Sequence, residues 1–178
     1  MINKLIQIDL AISSFIRDRV KNKTLDKILS RVNRGESLLF VLLVSFFFYP
    51  NNNFYELTIL FLHVGIVSYI TDRLVLILKK TISRKRPLIR VMDNQDKNPD
   101  MKHSFPSAHA ANSMVSIFIL VTVYQYSPLY FILSIFAGIG RLISLHHFLS
   151  DIIGGWGIGF LIGLINLGVM FLFQFYLN

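Results

Sequence analysis

An all-α integral membrane bundle is what the sequence predicts, with about five transmembrane helices preceded by an N-terminal amphipathic helical segment. Three observations carry this expectation. Hydrophobic residues make up 53% of the chain and charged residues 16%, whereas a water-soluble domain carries about a quarter charged residues. Several apolar stretches approach ~20 residues, the length that crosses the hydrocarbon core of a bilayer, and mean hydropathy is +0.56. The basic residues flank these stretches and line no soluble patch. A length of 178 residues suits one domain, taken as 1–178.

The elements follow in order. Residues 1–34 space Ile2, Leu5, Ile8, Ile12, Phe15 and Ile16 at roughly helical intervals among Lys4, Arg17, Arg19, Lys21, Lys23 and Lys27, the pattern of an amphipathic segment in the headgroup region. A first, short span is expected at 37–49, ended by Pro50 and Asn51–Asn53. A second runs over 57–78 and carries His63 and Asp72–Arg73; charges at such depth pair with neighbours or face the bundle, and Asp72 reads as the partner of a nearby base. A polar loop at 79–106 precedes a third span (107–126), a fourth (128–145) and a fifth (152–177). In the fifth, Gly155, Gly159 and Gly163 recur every four residues, a small-residue face that lets another helix approach closely.

The net charge of +8 suits an anionic lipid or anionic substrate; nucleic acid fits poorly where cations flank apolar spans. With no cysteine, disulfides, thiol catalysis and thiolate metal sites are excluded. No clean signal peptide is expected, because Asp9, Arg17, Asp18 and Arg19 interrupt the apolar start.

Three clusters carry chemistry: Lys79 with Arg86–Pro87; Phe105–Pro106–Ser107–Ala108–His109; and Gly140–Arg141 with His147 and Asp151. Two crossings separate the loop after the second span from the loop after the fourth, so all three clusters belong to one side of the membrane. Lys79, Arg86 and Arg141 are cations able to converge on one anion, the guanidinium forks matching phosphate oxygens in pairs. Ser107 can cap a helix, whose N-terminal N–H groups and dipole, at Ala108 and beyond, favour phosphate. His147 and Asp151 stand four apart, on one face of a helical turn. A carboxylate on one imidazole nitrogen leaves the other free to attack, and His109 can protonate a leaving oxygen.

This pattern resembles the type 2 phosphatidic acid phosphatase superfamily, over the whole membrane core and with all three motifs in order. The resemblance implies a metal-independent hydrolase without cofactor. In it Lys79, Arg86, Ser107, Ala108 and Arg141 bind phosphate, His109 is the acid, His147 the nucleophile that forms a phosphohistidine, and Asp151 its orienter. Two positions depart from the usual pattern, Ala108 where Gly is common and Gly140 where Ser is common. The resemblance also implies a lipid substrate in the bacterial inner membrane: lipid A 1-phosphate first, then undecaprenyl pyrophosphate or phosphatidylglycerophosphate. The chain's partners are then the bilayer and the lipid, with no nucleic acid and no obligate protein.

His146 lacks an acid four residues on, His63 reads as a packed interhelical histidine, and His103 as solvated. Arg84 and Lys85 read as a lipid-facing basic patch, and Lys80 receives no role. His109, His146, His147 and Asp151 are metal-capable types, but three neighbouring cations would repel a divalent ion. A non-catalytic anion- or lipid-binding membrane module, or a transporter component, is the alternative function. Sidedness is contested: the Lys/Arg distribution assigns the site's side to the cytoplasm, whereas the resemblance implies an extracytoplasmic site.

Overall fold

The computed structural model describes residues 2–20, 24, 54–86, 103–143 and 147–177. The expected first span at 37–49, Pro87 and His146 lie outside these residues. Five α-helices are present among the described residues: α1 (Ile2–Val20), α2 (Phe54–Ile82), α3 (Ala108–Thr122), α4 (Phe131–Ile143), entered through the 3-10 turn Pro128–Tyr130, and α5 (Leu149–Leu177). Among the described residues the one extended feature is an isolated antiparallel bridge between Lys85 and His103. The chain is an all-helical membrane protein.

Helix α3 is the axis of the bundle. Ala110, Ala111 and the continuous run Val115–Leu120 are buried, as expected of a helix apolar all round. It packs most extensively on α5, then on α2 and α4. Leu60, Val64 and Val67 of α2 meet Val115, Ile119 and Leu120 of α3 in the larger core cluster. A second cluster lies nearer the polar end, where Ala110, Leu142 and Ile152 join Ile16, Leu149 and Trp156.

The glycine face of α5 explains the α3–α5 contact. A Cβ on Gly155 would stand 2.5 Å from the Ser107 carbonyl oxygen, one on Gly159 2.3 Å from that of Ala111, and one on Gly163 2.6 Å from the Phe118 ring. Two backbones at such range leave no room for a methyl group. The expected close-approach face is present, and its partner is α3.

Helices α2 and α5 are each 29 residues long, about 43 Å, and are long and apolar enough to cross a membrane. Their outward residues, among them Leu62, Ile66, Ile70, Phe160, Leu161 and Ile165, are exposed apolar side chains, suited to lipid. Helix α3 differs from the span expected at 107–126, since it ends at Thr122 and has 15 residues, roughly 22 Å against a hydrocarbon core of about 30 Å. Gln125, at φ 57°, helps turn the chain back. Helix α4, with 13 residues, begins after the 3-10 turn, and the last two positions of the span expected at 128–145 lie outside the described residues. Together they form a hairpin whose α3 limb packs on both α2 and α5, while Ile132, Ile135 and Phe136 of α4 stay exposed.

Polar side chains inside the bundle find one another. His63 contacts the Tyr124 hydroxyl at 3.2 Å and Asn166 Oδ1 at 3.0 Å, which makes it the interhelical histidine expected. At the surface of α2, Asp72 pairs with the exposed Arg73 at 3.0 Å and accepts from Asn112 at 3.4 Å.

Candidate active site

Three local structures bring the motifs to one end of the bundle. The first is the stop at the end of α2. Ser83 adopts φ 52°, its N–H bonds the Lys79 carbonyl at 2.9 Å, and its hydroxyl bonds the Lys80 carbonyl at 2.7 Å. This left-handed cap ends the helix and sends residues 84–86 across the bundle. The second is the pairing of that segment with the approach to α3. Ser104 N–H donates to the Arg84 carbonyl at 2.8 Å, beside the Lys85–His103 bridge. The third is the junction of two helix starts, where Ser107 N–H donates to the Asp151 carbonyl at 2.9 Å.

The sequence-predicted residues fall around these joints. Lys79 is 1% exposed, and Arg86, Ser107, His147 and Asp151 are also buried; Ala108, His109 and Arg141 are partly buried. Ser107 caps α3, its Oγ accepting from Ala110 N–H. Ala108 and His109 form the first turn of that helix, and Arg141 lies in the last turn of α4. Lys79 holds the last turn of α2.

His147 lies between α4 and α5, with its Nδ1 3.6 Å from Asp151 Oδ2. That separation is longer than a hydrogen bond, and the two groups pair as charges only when the ring is protonated. Burial lowers the His147 pKa to about 4; the Asp151 carboxylate opposes the shift, and the Arg86 and Arg141 guanidinium groups reinforce it. Both arginines therefore act electrostatically on the ring, and the structure brings His147, Asp151, Arg86 and Arg141 into one neighbourhood. The ring is held neutral, the state in which a nitrogen lone pair can attack.

Asp151 is tightly held. Its Oδ2 accepts from Phe148 N–H at 2.8 Å, the side chain capping its own helix. Its Oδ1 accepts from Arg84 Nη1 at 2.9 Å. Arg84 thus corrects the expectation of a lipid-facing basic residue: its guanidinium turns inward, lies 4.0 Å over the Phe148 ring, and donates from Nη2 to Asp9 Oδ2 at 2.6 Å. Burial of two carboxylates beside one guanidinium explains the inward turn, since neither anion is stable there without a cation. His103, expected to be solvated, is partly buried with a buried Nδ1, because the bridge to Lys85 draws it in. Lys85 itself is exposed.

Helix α1 supplies residues that the motifs did not reveal. Ser13 Oγ accepts from Leu149 N–H at 3.0 Å, and Asp9 Oδ1 accepts from Ser150 N–H at 3.3 Å. The first N–H groups of α5, which have no partner in their own helix, are thus capped from another helix. The polar face of α1 is turned to the site, while Ile8, Leu10, Ile12 and Phe15 are exposed.

Fold and site together describe a membrane-embedded helical bundle that gathers a buried imidazole, a buried carboxylate and several cations at one end. Residues 56–176 match the PAP2 superfamily, and the chain belongs to that superfamily, a family of phosphatases. Two solved structures share the fold. One is described as the first transmembrane PAP2 type phosphatidylglycerolphosphate phosphatase from Bacillus subtilis, 24% identical, with a TM-score of 0.61, covering 94% of this chain and 86% of that one. The other is Aquifex aeolicus LpxE, 20% identical, with a TM-score of 0.57, covering 86% of this chain and 91% of that one. A comparison with curated proteins finds no match.

Proposed function

We propose that this membrane lipid phosphatase works through a phosphohistidine on His147. Arg86, Arg141 and Lys79 hold the phosphoryl oxygens, together with the Ala108 N–H and the Ser107 end of α3, where the helix dipole favours an anion. The imidazole nitrogen not facing Asp151 attacks phosphorus in line, and the bond to the lipid oxygen breaks as His109 gives that oxygen a proton. Asp151 stabilises the cationic phosphohistidine. Water, losing a proton to His109, then attacks phosphorus, and phosphate leaves as His147 regains its lone pair. The cations stabilise charge on the equatorial oxygens throughout.

One observation carries the reading: a buried, neutral His147 facing Asp151 and under the charges of Arg86 and Arg141. Apolar exposed flanks on α2 and α5 support a substrate that arrives through the bilayer. Lipid A 1-phosphate stands first among candidates, because the short chain begins with a basic amphipathic segment. Phosphatidylglycerophosphate, named in the description of the B. subtilis neighbour, and undecaprenyl pyrophosphate complete the set. The enzyme would sit in a bacterial inner membrane with its site extracytoplasmic.

Purified protein offered each of the three lipids should release phosphate from at least one. His147→Ala should lower that release by at least about a thousandfold, the scale on which removal of a nucleophile acts, and leave lipid binding within a fewfold. Undiminished turnover in the variant would sink the mechanism. Binding by the wild type without release from any of the three would favour the non-catalytic module.

A further inference from the structure

We infer that Arg84 and Asp9 are positioning residues for the reaction, an ionic strap by which the N-terminal helix holds Asp151, and through it His147, in working orientation. The inference rests on the hydrolase reading of His147 and extends it to residues outside the three motifs.

The geometry points this way at both ends of Arg84. Nη1 donates to Asp151 Oδ1 at 2.9 Å and to Ser150 Oγ at 2.6 Å, and Nη2 donates to Asp9 Oδ2 at 2.6 Å. The Ser150 hydroxyl also donates to Asp9 Oδ2. The Arg84 and Asp9 side chains are 16% and 15% exposed, and that of Asp151 is 0%, so the group is shielded from the water and salt that weaken surface pairs. Asp151 therefore has one oxygen fixed by Arg84 and the other by Phe148 N–H, and only the second oxygen faces His147. A carboxylate held at both oxygens cannot rotate away from the imidazole.

Charge matters as much as orientation. The groups acting on the His147 ring are Asp151 of α5, Arg86 after α2 and Arg141 of α4. His109 opens α3, pinned to α5 by the Ser107–Asp151 backbone bond, and Lys79 ends α2. Arg84 draws on the negative charge that Asp151 offers the ring, and Asp9 of α1 offsets Arg84 in turn. Two opposite effects on His147 follow. Loss of Arg84 frees the carboxylate to stabilise a protonated ring; loss of the Asp9 charge leaves the positive charge of Arg84 without its offset and does the reverse.

The test uses the full chain in detergent, labelled with ¹⁵N-histidine, the His147 signal being identified by its loss in His147→Asn. Arg84→Gln should raise the His147 titration midpoint by on the order of one pH unit; Asp9→Asn should lower it by roughly a few tenths of a unit. In turnover, Arg84→Gln should lower kcat roughly ten- to hundredfold, the worth of one charge-assisted hydrogen bond, with KM within about threefold. Arg84→Lys, which keeps charge without the two-pronged fork, should recover part of that loss. Wild-type midpoints and kcat within about twofold in both Arg84→Gln and Asp9→Asn would overturn the strap. Should Arg84→Gln fail to fold, Asp9→Asn and Arg84→Lys carry the same readouts. A wild-type protein that turns over no lipid would defeat the hydrolase reading alone, since the histidine titration reads the strap without turnover.

Discussion

Arg84 stands two positions before Arg86 in an unbroken basic triplet, and no property of the residue type separates the two. What distinguishes Arg84 is its reach to Asp9 and Asp151, residues 75 and 67 positions away, a relation that only the folded chain creates. His147 and Asp151 were legible because their four-residue spacing is itself the contact. Asp9 was visible only as a charge that spoiled an apolar run. A pH dependence follows at this scale. The nucleophile must be neutral, and burial lowers the His147 pKa from 6.5 to about 4. The ring's contribution to kcat/KM is therefore present above about pH 4 and lost as pH falls through it. Phosphate release measured across the acid range should show that limb near pH 4; a limb near 6.5 would mean that the ring is solvated.

At the scale of elements, the glycine repeat of α5 was readable because four-residue spacing marks one helix face whatever lies opposite. Its partner was not, since α3 presents Ala110, Ala111 and Met114 without any repeat of its own. The end of α3 differs from the expected one because apolar residues continue past Thr122, and hydropathy alone does not register the turn at Gln125. Helix α1 inverts the usual arrangement over most of its length: Asp9 and Ser13 face protein, Ile8, Leu10, Ile12 and Phe15 face outward, and Ile16 packs on the second core cluster. Two substitutions separate packing from propensity. Gly159→Ala would set a methyl group 2.3 Å from the Ala111 carbonyl oxygen and should cost roughly 1–3 kcal/mol. Gly157→Ala meets nothing within 4 Å and should be neutral or stabilising by up to about 1 kcal/mol. Thermal or denaturant midpoints in detergent would check both, and equal losses would refute the close approach.

For the whole molecule, one-sidedness of the motifs was deduced by counting two crossings, yet α3 and α4 are each shorter than the hydrocarbon core. The deduction survives because a hairpin returns to its starting end at any depth, as the Ser107–Asp151 bond records. Which compartment that end faces was not legible, since the same lysines and arginines serve both as orientation signals and as phosphate ligands. The extracytoplasmic assignment proposed above is directly testable in a chain without native cysteine. In intact cells, an impermeant thiol reagent should label Lys97→Cys and spare Asn52→Cys; the opposite pattern would place the chemistry in the cytoplasm.

The main-chain link from Ser107 to Asp151 has one more consequence. The helix mouth that would cradle an anion and the carboxylate that steers the imidazole are yoked into a single rigid piece before any ligand arrives. Capture then requires no clamping motion between α3 and α5. A spent headgroup would leave by sliding sideways into the surrounding lipid, with the two helix ends still joined.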